Sequence, residues 1–523
     1  MKKAFLSACI LVVLLLVSSA HPAMAKQFTL WDKPLQVFGL VSQSLQLSLE
    51  DHKYDVEQGV SQALFNLHIE ADYRPHSTVT MYASTMLTLD QVYWIKSDWS
   101  SWNNKLFADS RDELFIDDEY WQLLKEAHIT WTPGPWYFRL GKQIVSWGEM
   151  DFFRVMDQIN PLDTRRGFSD VEFETTVIPI WLLRAEVWPT VQSGWLDELG
   201  VQFVFNPNAD FITDQNPTTG NDAGGIWSAA YYYDNPLYEF GLGTPKMYVG
   251  ALDETLEEPD KWSSEGFEYG ARISAKIRGT ILSLNGFYGR DNTAVELLTG
   301  FREDPELSAA FGQPIPYLGQ ASSDGTSIFY PTYAGKYFRQ KYVGLTWTTD
   351  LPFRVSALGG VNPLLRMEVK YQFDKTYKDQ NEAYYYRSDL LETGFGLDWK
   401  VKINMLNPRA YFTVSPQFFF NRILDYPTGY KLYDFTEENY YTATLLLSTS
   451  YINGKLVPQI AYAHPSNTAS NLVIPKVTWS PNRVWDFIAE GAYMDGSKEN
   501  NGNSLWLFRN KSYVAAKVRY KFN

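Results

Sequence analysis

The chain reads as all-β: a transmembrane antiparallel β-barrel of about eighteen strands, with an inward-folded, partly helical loop. Three observations predict it. Short segments alternate apolar and polar residues with a period of two, the pattern of a strand with two unlike faces. Aromatic residues make up 16% of the 523, yet mean hydropathy is only −0.28. The chain also opens on an export signal, and beyond it no stretch reaches the roughly 18 apolar residues that a membrane-spanning helix needs.

Lys2 and Lys3 form the positive start of that signal, Ala4 to Ala20 its apolar stretch, and Ala23-Met24-Ala25 a small-x-small cleavage site. Residues 1–25 are therefore expected to be a signal peptide, and 26–523 the barrel. Leu6-Ser7-Ala8-Cys9 looks like a lipoprotein box, but most of the hydrophobic stretch follows it instead of preceding it, which argues against lipidation. Cys9 is the one cysteine, so the mature chain is expected to lack disulfides, a CxxC pair, an iron–sulfur cluster and c-type haem. Losing Lys2 and Lys3 takes the formal charge from −14 to −16, and that acidity argues against a nucleic-acid partner.

Candidate strands lie near 36–50, 60–73, 78–90, 119–132, 136–146, 174–188, 198–206, 266–278 and 280–290. Nine more lie near 337–349, 362–374, 389–404, 408–421, 439–452, 455–464, 471–480, 483–494 and 505–522. Without the segments near 198–206 and 350–374 the count is sixteen, also even, as bacterial barrels require. Arg74-Pro75-His76, Thr132-Pro133-Gly134-Pro135, Asn407-Pro408, Asn453-Gly454 and Ser480-Pro481-Asn482 carry turn chemistry. Long loops fall between these turns, near 91–118, 147–173, 207–265, 291–336, 375–388 and 422–438. With both termini periplasmic, every short turn is periplasmic and every long loop external. A soluble β-sandwich alternates too, but this order of connections favours the barrel.

Alternation assigns the faces. Phe267, Tyr269, Ala271, Ile273, Ala275 and Ile277 are expected to face lipid; Glu268, Arg272, Lys276 and Arg278 the lumen. Leu365, Met367, Val369, Tyr371 and Phe373 lie outside, with Arg366, Glu368, Lys370, Gln372 and Asp374 inside. Phe395, Leu397, Trp399, Val401 and Ile403 oppose Asp398, Lys400 and Lys402. The expected lining thus mixes signs, which sets up a transverse field for dipolar solutes; paired in cross-strand salt bridges, the same charges are structural. Trp131, Trp136, Trp188 and Trp479 sit at strand ends, as interfacial aromatics do.

The stretch Trp136 to Glu174 is the centre of the reading. Its first half alternates as a strand, with Arg139, Gly141 and Gln143 on one side and Phe138, Leu140 and Ile144 on the other. From Glu149 to Ile159 the period changes: Phe152, Val155, Met156 and Ile159 recur as on one face of a short helix, which Pro161 stops. Folded inward, this loop would narrow the pore with Glu149, Asp151, Arg154, Asp157, Asp163, Arg165, Arg166 and Asp170. The plainer reading is a surface loop over the rim.

Arg139-x-Gly141-x-Gln143, Trp147-Gly148 and Asn160-Pro161-x-Asp163 together resemble a family of proteobacterial outer-membrane proteins known chiefly as a domain of unknown function. The motif spans roughly thirty residues. The resemblance implies a large porin-like barrel, of a kind linked to export or uptake of hydrophobic compounds, and a more distant likeness to alginate-export-type barrels. It brings no catalytic residues with it. The last strand alternates Val514, Ala516, Val518, Tyr520 and Phe522 with polar residues, and resembles the signal that the barrel-assembly machinery reads, although Asn523 follows the aromatic.

The expected function is passage of a small solute, hydrophobic and amphipathic ones included, across the outer membrane, with lipid, lipopolysaccharide and the assembly machinery as partners. No cofactor, metal or enzyme activity is expected. His52, His68, His76, His128 and His464 have no HExxH or paired-ligand spacing, and no GxSxG motif occurs. The runs Asp214 to Gly225 and Asp253 to Asp260 do not match EF-hand spacing and read as solvated loops. Two other classes remain open: an outer-membrane component of an export or multi-protein conduit complex, which co-purification would reveal, and a barrel hydrolase, which His68→Ala would test.

Overall fold

The computed structural model describes residues 26–49, 59–96, 114–151, 153–167, 176–191, 194–215, 232–249, 253–320, 325–429, 431–432, 437–466, 470–496, 508 and 511–522. The expected signal peptide, Phe152 and Asp170 lie outside them.

Eighteen strands pair antiparallel, each with its neighbours in sequence, and close into a ring. In chain order they are β1 (Lys33–Ser48), β2 (Leu64–His76), β3 (Val79–Asp90), β4 (Glu126–Trp131), β5 (Trp136–Gln143) and β6 (Ile180–Val187). There follow β7 (Glu198–Asn206), β8 (Glu268–Ile277), β9 (Thr280–Arg290), β10 (Arg339–Asp350), β11 (Leu364–Lys378) and β12 (Tyr385–Val401). The last six are β13 (Phe412–Ile423), β14 (Asn439–Ser448), β15 (Leu456–Pro465), β16 (Asn471–Trp479), β17 (Trp485–Asp495) and β18 (Tyr513–Phe522). Closure is the ladder from Gly39↔Phe522 to Ser48↔Tyr513. No edge is left to aggregate, because β18 and β1 satisfy each other. Each of the eighteen expected strands has its counterpart, so the count of sixteen falls away.

The period of two partitions the side chains. Ile273, Leu284, Val343, Phe395 and Phe418 are exposed on the outer wall, whereas Glu368, Lys370 and Gln372, between them in register, are buried inside. All five expected turns fall at one end of the barrel, together with both termini of the sheet.

Several boundaries differ from expectation, β6 for example starting at Ile180 and not near 174; two of the differences have a clear physical reason. Residues 119–132 are not one strand: Tyr120–Leu123 forms a helical turn before β4 starts at Glu126. Lys142 reaches across from β5 and donates to the carbonyls of Trp121 (3.1 Å) and Leu124 (2.6 Å), satisfying the oxygens that end this turn. The expected loop 375–388 is mostly strand. Past a bulge at Gln372/Lys375 the pairing resumes, from Lys375↔Ser388 to Lys378↔Tyr385. Thr376, Tyr377, Tyr385 and Tyr386 favour extended backbone, and the Asp379 carboxylate closes the remaining turn by accepting from Asn381, Ala383 and Tyr384.

The long loops carry structure of their own. Asp253–Glu257, Val295–Phe301 and Pro331–Lys336 form one small sheet. Ile328 and Tyr330, between β9 and β10, pack against Val92 and Tyr93 beyond β3 and against Met494 and Tyr513 on β17 and β18. Since β9 and β10 stand across the ring from β18, this loop crosses the long-loop end of the barrel.

Candidate pore waist

β5 brings the chain to the waist through a position that only glycine fills. Gly141 has φ of 135°, and a Cβ there would sit 2.2 Å from the Ala127 carbonyl oxygen and 2.7 Å from His128 Cα on β4. Both are backbone atoms of a paired strand and cannot give way. Gly141→Ala is expected to disrupt the β4–β5 seam and lower the barrel's thermal stability by roughly 2 kcal/mol or more; heat-modified migration on a semi-native gel would read it.

The next residues form a knot of side-chain to backbone bonds. Gln143, fully buried, donates to the Leu182 carbonyl at 3.0 Å. Asn160 accepts from the Val145 N–H (2.8 Å) and donates to the carbonyls of Gln143 (3.1 Å) and Ile178 (2.9 Å). One amide thereby ties the start of the loop to its return. The segment between enters the lumen.

That segment is not helical. Its described residues, 149–151 and 153–159, include none in a helix, because carboxylates and not helical carbonyls take their N–H groups. Asp157 accepts from the N–H groups of Trp147 and Gly148 (2.8 Å to the latter). Gly148 has to be bare for this: a Cβ would lie 2.5 Å from Asp157 Oδ2. Glu368, on β11 and fully buried, accepts from the N–H groups of Glu149, Met150 (3.1 Å) and Met156 (3.0 Å). The apolar periodicity nevertheless marks a real face. Met156 and Ile159 are buried with Trp147 against Leu182, Val204, Phe287 and Tyr342 on the inner wall. Wall glycines make the room, since a Cβ at Gly344 would meet the Met156 sulfur at 2.5 Å and one at Gly270 the Trp147 ring at 2.6 Å.

Polar contacts then carry the loop across to the far wall. Arg366 on β11 donates to the Glu149 carbonyl and to Asp151 Oδ2 (2.6 Å), and pairs with Asp398 on β12 (2.9 Å). Gln417 on β13 donates to the same Asp151 oxygen at 2.6 Å. On the near side Glu149 lies 3.9 Å from Arg272 of β8. Phe153 stands edge-on to Phe419 of β13, with ring centres 5.3 Å apart. Burial holds the Glu149 carboxyl above the ordinary carboxylate range, and Arg272 and Arg366 offset only part of this.

The model of a family described as "Protein of unknown function (DUF1302)" matches residues 46–522. The chain belongs to the DUF1302 family. No curated protein matches the sequence. Solved structures similar to this DUF1302 chain include OpdK of Pseudomonas aeruginosa with vanillate, 8% identical over 95% of this chain and 99% of that one, TM-score 0.43. The anion-selective porin from Comamonas acidovorans is 8% identical over 94% and 100%, TM-score 0.37. Salmonella typhi OmpF in complex with daunomycin is 7% identical over 95% and 100%, TM-score 0.36.

The DUF1302 waist uses the expected charges unequally. Glu149 and Asp151 reach the lumen, Asp151 with its side chain half exposed. Arg154 and Asp157 hold the loop's own backbone, Arg154 by donating to the Asn160 carbonyl at 2.6 Å. Asp163, Arg165 and Arg166 are not at the constriction. They form an anchor with Asp117, on the short strand Ile116–Asp117 beside β3: Arg165 lies 2.8 Å and Arg166 2.9 Å from its Oδ2, and Arg165 3.0 Å from Asp163. The Arg165 guanidinium also covers the Trp121 ring at 4.8 Å. Burial would raise the Asp163 carboxyl, but Arg165 and Arg166 outweigh it and hold it below the ordinary range. Asp117 was invisible beforehand, because its partners come from elsewhere in the chain.

Arg139, Glu268, Arg272, Lys276, Arg366, Glu368, Lys370, Asp398 and Lys400 fall on the inward register of their strands. Several are structural as placed. Gln143 is sealed among carbonyls; Glu268 accepts from Asn206 and from the Arg290 N–H, each at 2.8 Å. Lys370 pairs with Glu392, and Lys276 with Glu198 at 3.3 Å. Lys400 is exposed near the short-turn end.

Proposed function

We propose that this DUF1302 protein is a porin-like channel of the outer membrane, giving passive or facilitated passage to a small solute through a mixed-charge lumen. The observation that carries this is the inward loop, clamped by Arg366 and Glu368 from the opposite wall, so that the barrel has a built waist. A membrane setting is supported by the apolar outer wall and by Trp131, Trp136 and Trp479, all exposed on it at the short-turn end; Trp188 turns instead into the lumen, where it donates to Glu186. Export by the leading segment and insertion by machinery that reads β18 complete the reading. Opposite charges face each other at the waist, Arg272 with Glu149 and Arg366 with Asp151 and Asp398. Such a lining orients dipolar solutes instead of selecting one sign of ion. No residue is assigned a catalytic role.

Single-channel recording of the purified protein in a planar bilayer tests this. Stable ohmic steps are expected. Silence from folded, heat-modifiable barrel would overturn the channel and turn attention to a partner-dependent conduit.

A further inference from the structure

Deepening the channel reading, on which it rests, we propose that Arg139, Arg184 and Tyr137 form a subsite in the lumen for the carboxylate of a small organic anion. Arg139 on β5 and Arg184 on β6 are direct register partners on the inward face. Like charges placed opposite each other destabilise an antiparallel pair, so such a pairing calls for a compensating anion. Both guanidinium carbons lie over one ring, that of Tyr137, at 5.4 Å and 5.3 Å from its centre. The ring fixes the two forks side by side and supplies a cation–π contact.

The anion supplied by the protein covers only half of the pair. Arg184 is bound by Glu186, which also accepts from Gln202 (2.7 Å) and Trp188 (3.0 Å). Arg139 donates from Nε to Thr130 Oγ1 at 3.0 Å, and among the described residues it meets no carboxylate within 4.0 Å. Other lumen cations do: Arg366 has Asp151 and Asp398, Lys370 has Glu392, Lys476 has Glu490 and Arg519 has Asp486. Arg139 is half-buried, so bulk water does not fully solvate it in place of a partner. Glu126 on β4 and Glu186 on β6 flank the pair and limit the net charge it can take, which favours a monoanion. A carboxylate suits two planar forks, as it accepts parallel N–H bonds from a guanidinium. The subsite adjoins the waist, because Gln202, bound to Glu186, is also the acceptor for the Trp147 indole.

The test uses purified full-length barrel, with benzoate as probe and benzamide as its uncharged counterpart, read by titration calorimetry. Benzoate is expected to bind wild type and benzamide at least about tenfold more weakly. Arg139→Gln should weaken benzoate by about tenfold and Arg139→Lys by less, since a lysine keeps the charge without the fork. Lys261→Gln, in an external loop, serves as a charge-matched control and should leave benzoate binding unchanged. Equal binding of the two probes, undiminished binding by folded Arg139→Gln, or no benzoate binding by wild type would each overturn the subsite. Bilayer recordings of the same preparations separate this from the channel reading. Conductance without benzoate binding removes the subsite alone; benzoate binding without conductance removes the channel and leaves the site.

Discussion

Glu368→Ala is expected to free the waist loop and raise single-channel conductance, roughly twofold or more, because the loop crosses the lumen. The wild-type carboxylate takes three backbone donors that no helix provides for, those of Glu149, Met150 and Met156. An unpaired buried donor costs about 1–3 kcal/mol. Three of them exceed what a short loop recovers from its remaining contacts, so the segment should leave the wall and admit water. Glu368→Gln is the finer probe. Its amide keeps the volume and one acceptor oxygen, but turns a donor toward donors, so an intermediate conductance with more open-channel noise is expected. Unchanged conductance in both variants would mean that Arg366 and the apolar face of Met156 and Ile159 suffice to hold the loop.

Arg165→Ala should cost about 3–5 kcal/mol, the usual consequence of removing one partner from a buried charge cluster. It leaves Asp117 and Asp163, whose side chains are almost wholly enclosed, with Arg166 alone of the two arginines, 2.9 Å from Asp117 but 3.7 Å from Asp163. The pH dependence gives the sharper reading. In the wild type the Asp163 carboxyl is held below its unfolded value of about 3.9: burial raises it, and Arg165 with Arg166 lowers it further. A depressed folded value means that the anchor's contribution is complete above that unfolded value and is lost as pH falls through the folded one. Wild-type stability should therefore hold from neutrality to about pH 4 and decline below. In Arg165→Ala burial dominates, the Asp163 carboxyl should rise, and mild acid should stabilise the variant. Thermal midpoints of the heat-modified form between neutrality and acid would show the two slopes; parallel slopes would dismiss the anchor.

Local pattern carried most of the fold. Alternation over ten or so residues marked each of the eighteen strands, since the inward or outward direction of a strand side chain depends only on its own position. The same logic located the waist segment and its apolar set. It failed where partners are distant. From Glu149 to Ile159 the spacing of Val155, Met156 and Ile159 fits a helix, but a chain lying across a curved wall buries the same residues, and the donors that would have closed helical turns meet Glu368, more than 200 residues away. Between Lys375 and Ser388 the polar residues suggested a loop, while the tyrosines on both sides kept the ladder going.

The charges divide in the same way. By itself the sequence determined that this is a barrel and which faces of its strands are polar, because these follow from periodicity and turn chemistry within one segment; whether the 147–173 loop turned inward or lay over the rim stayed open. Only the tertiary structure decided which charges meet. Asp151 faces Arg366 at the waist, Arg165 is drawn into the wall by Asp117, and Arg139 is left opposite Arg184. Pairing energy depends on distance between groups from separate segments, and strand register, loop placement and ring closure together set that distance.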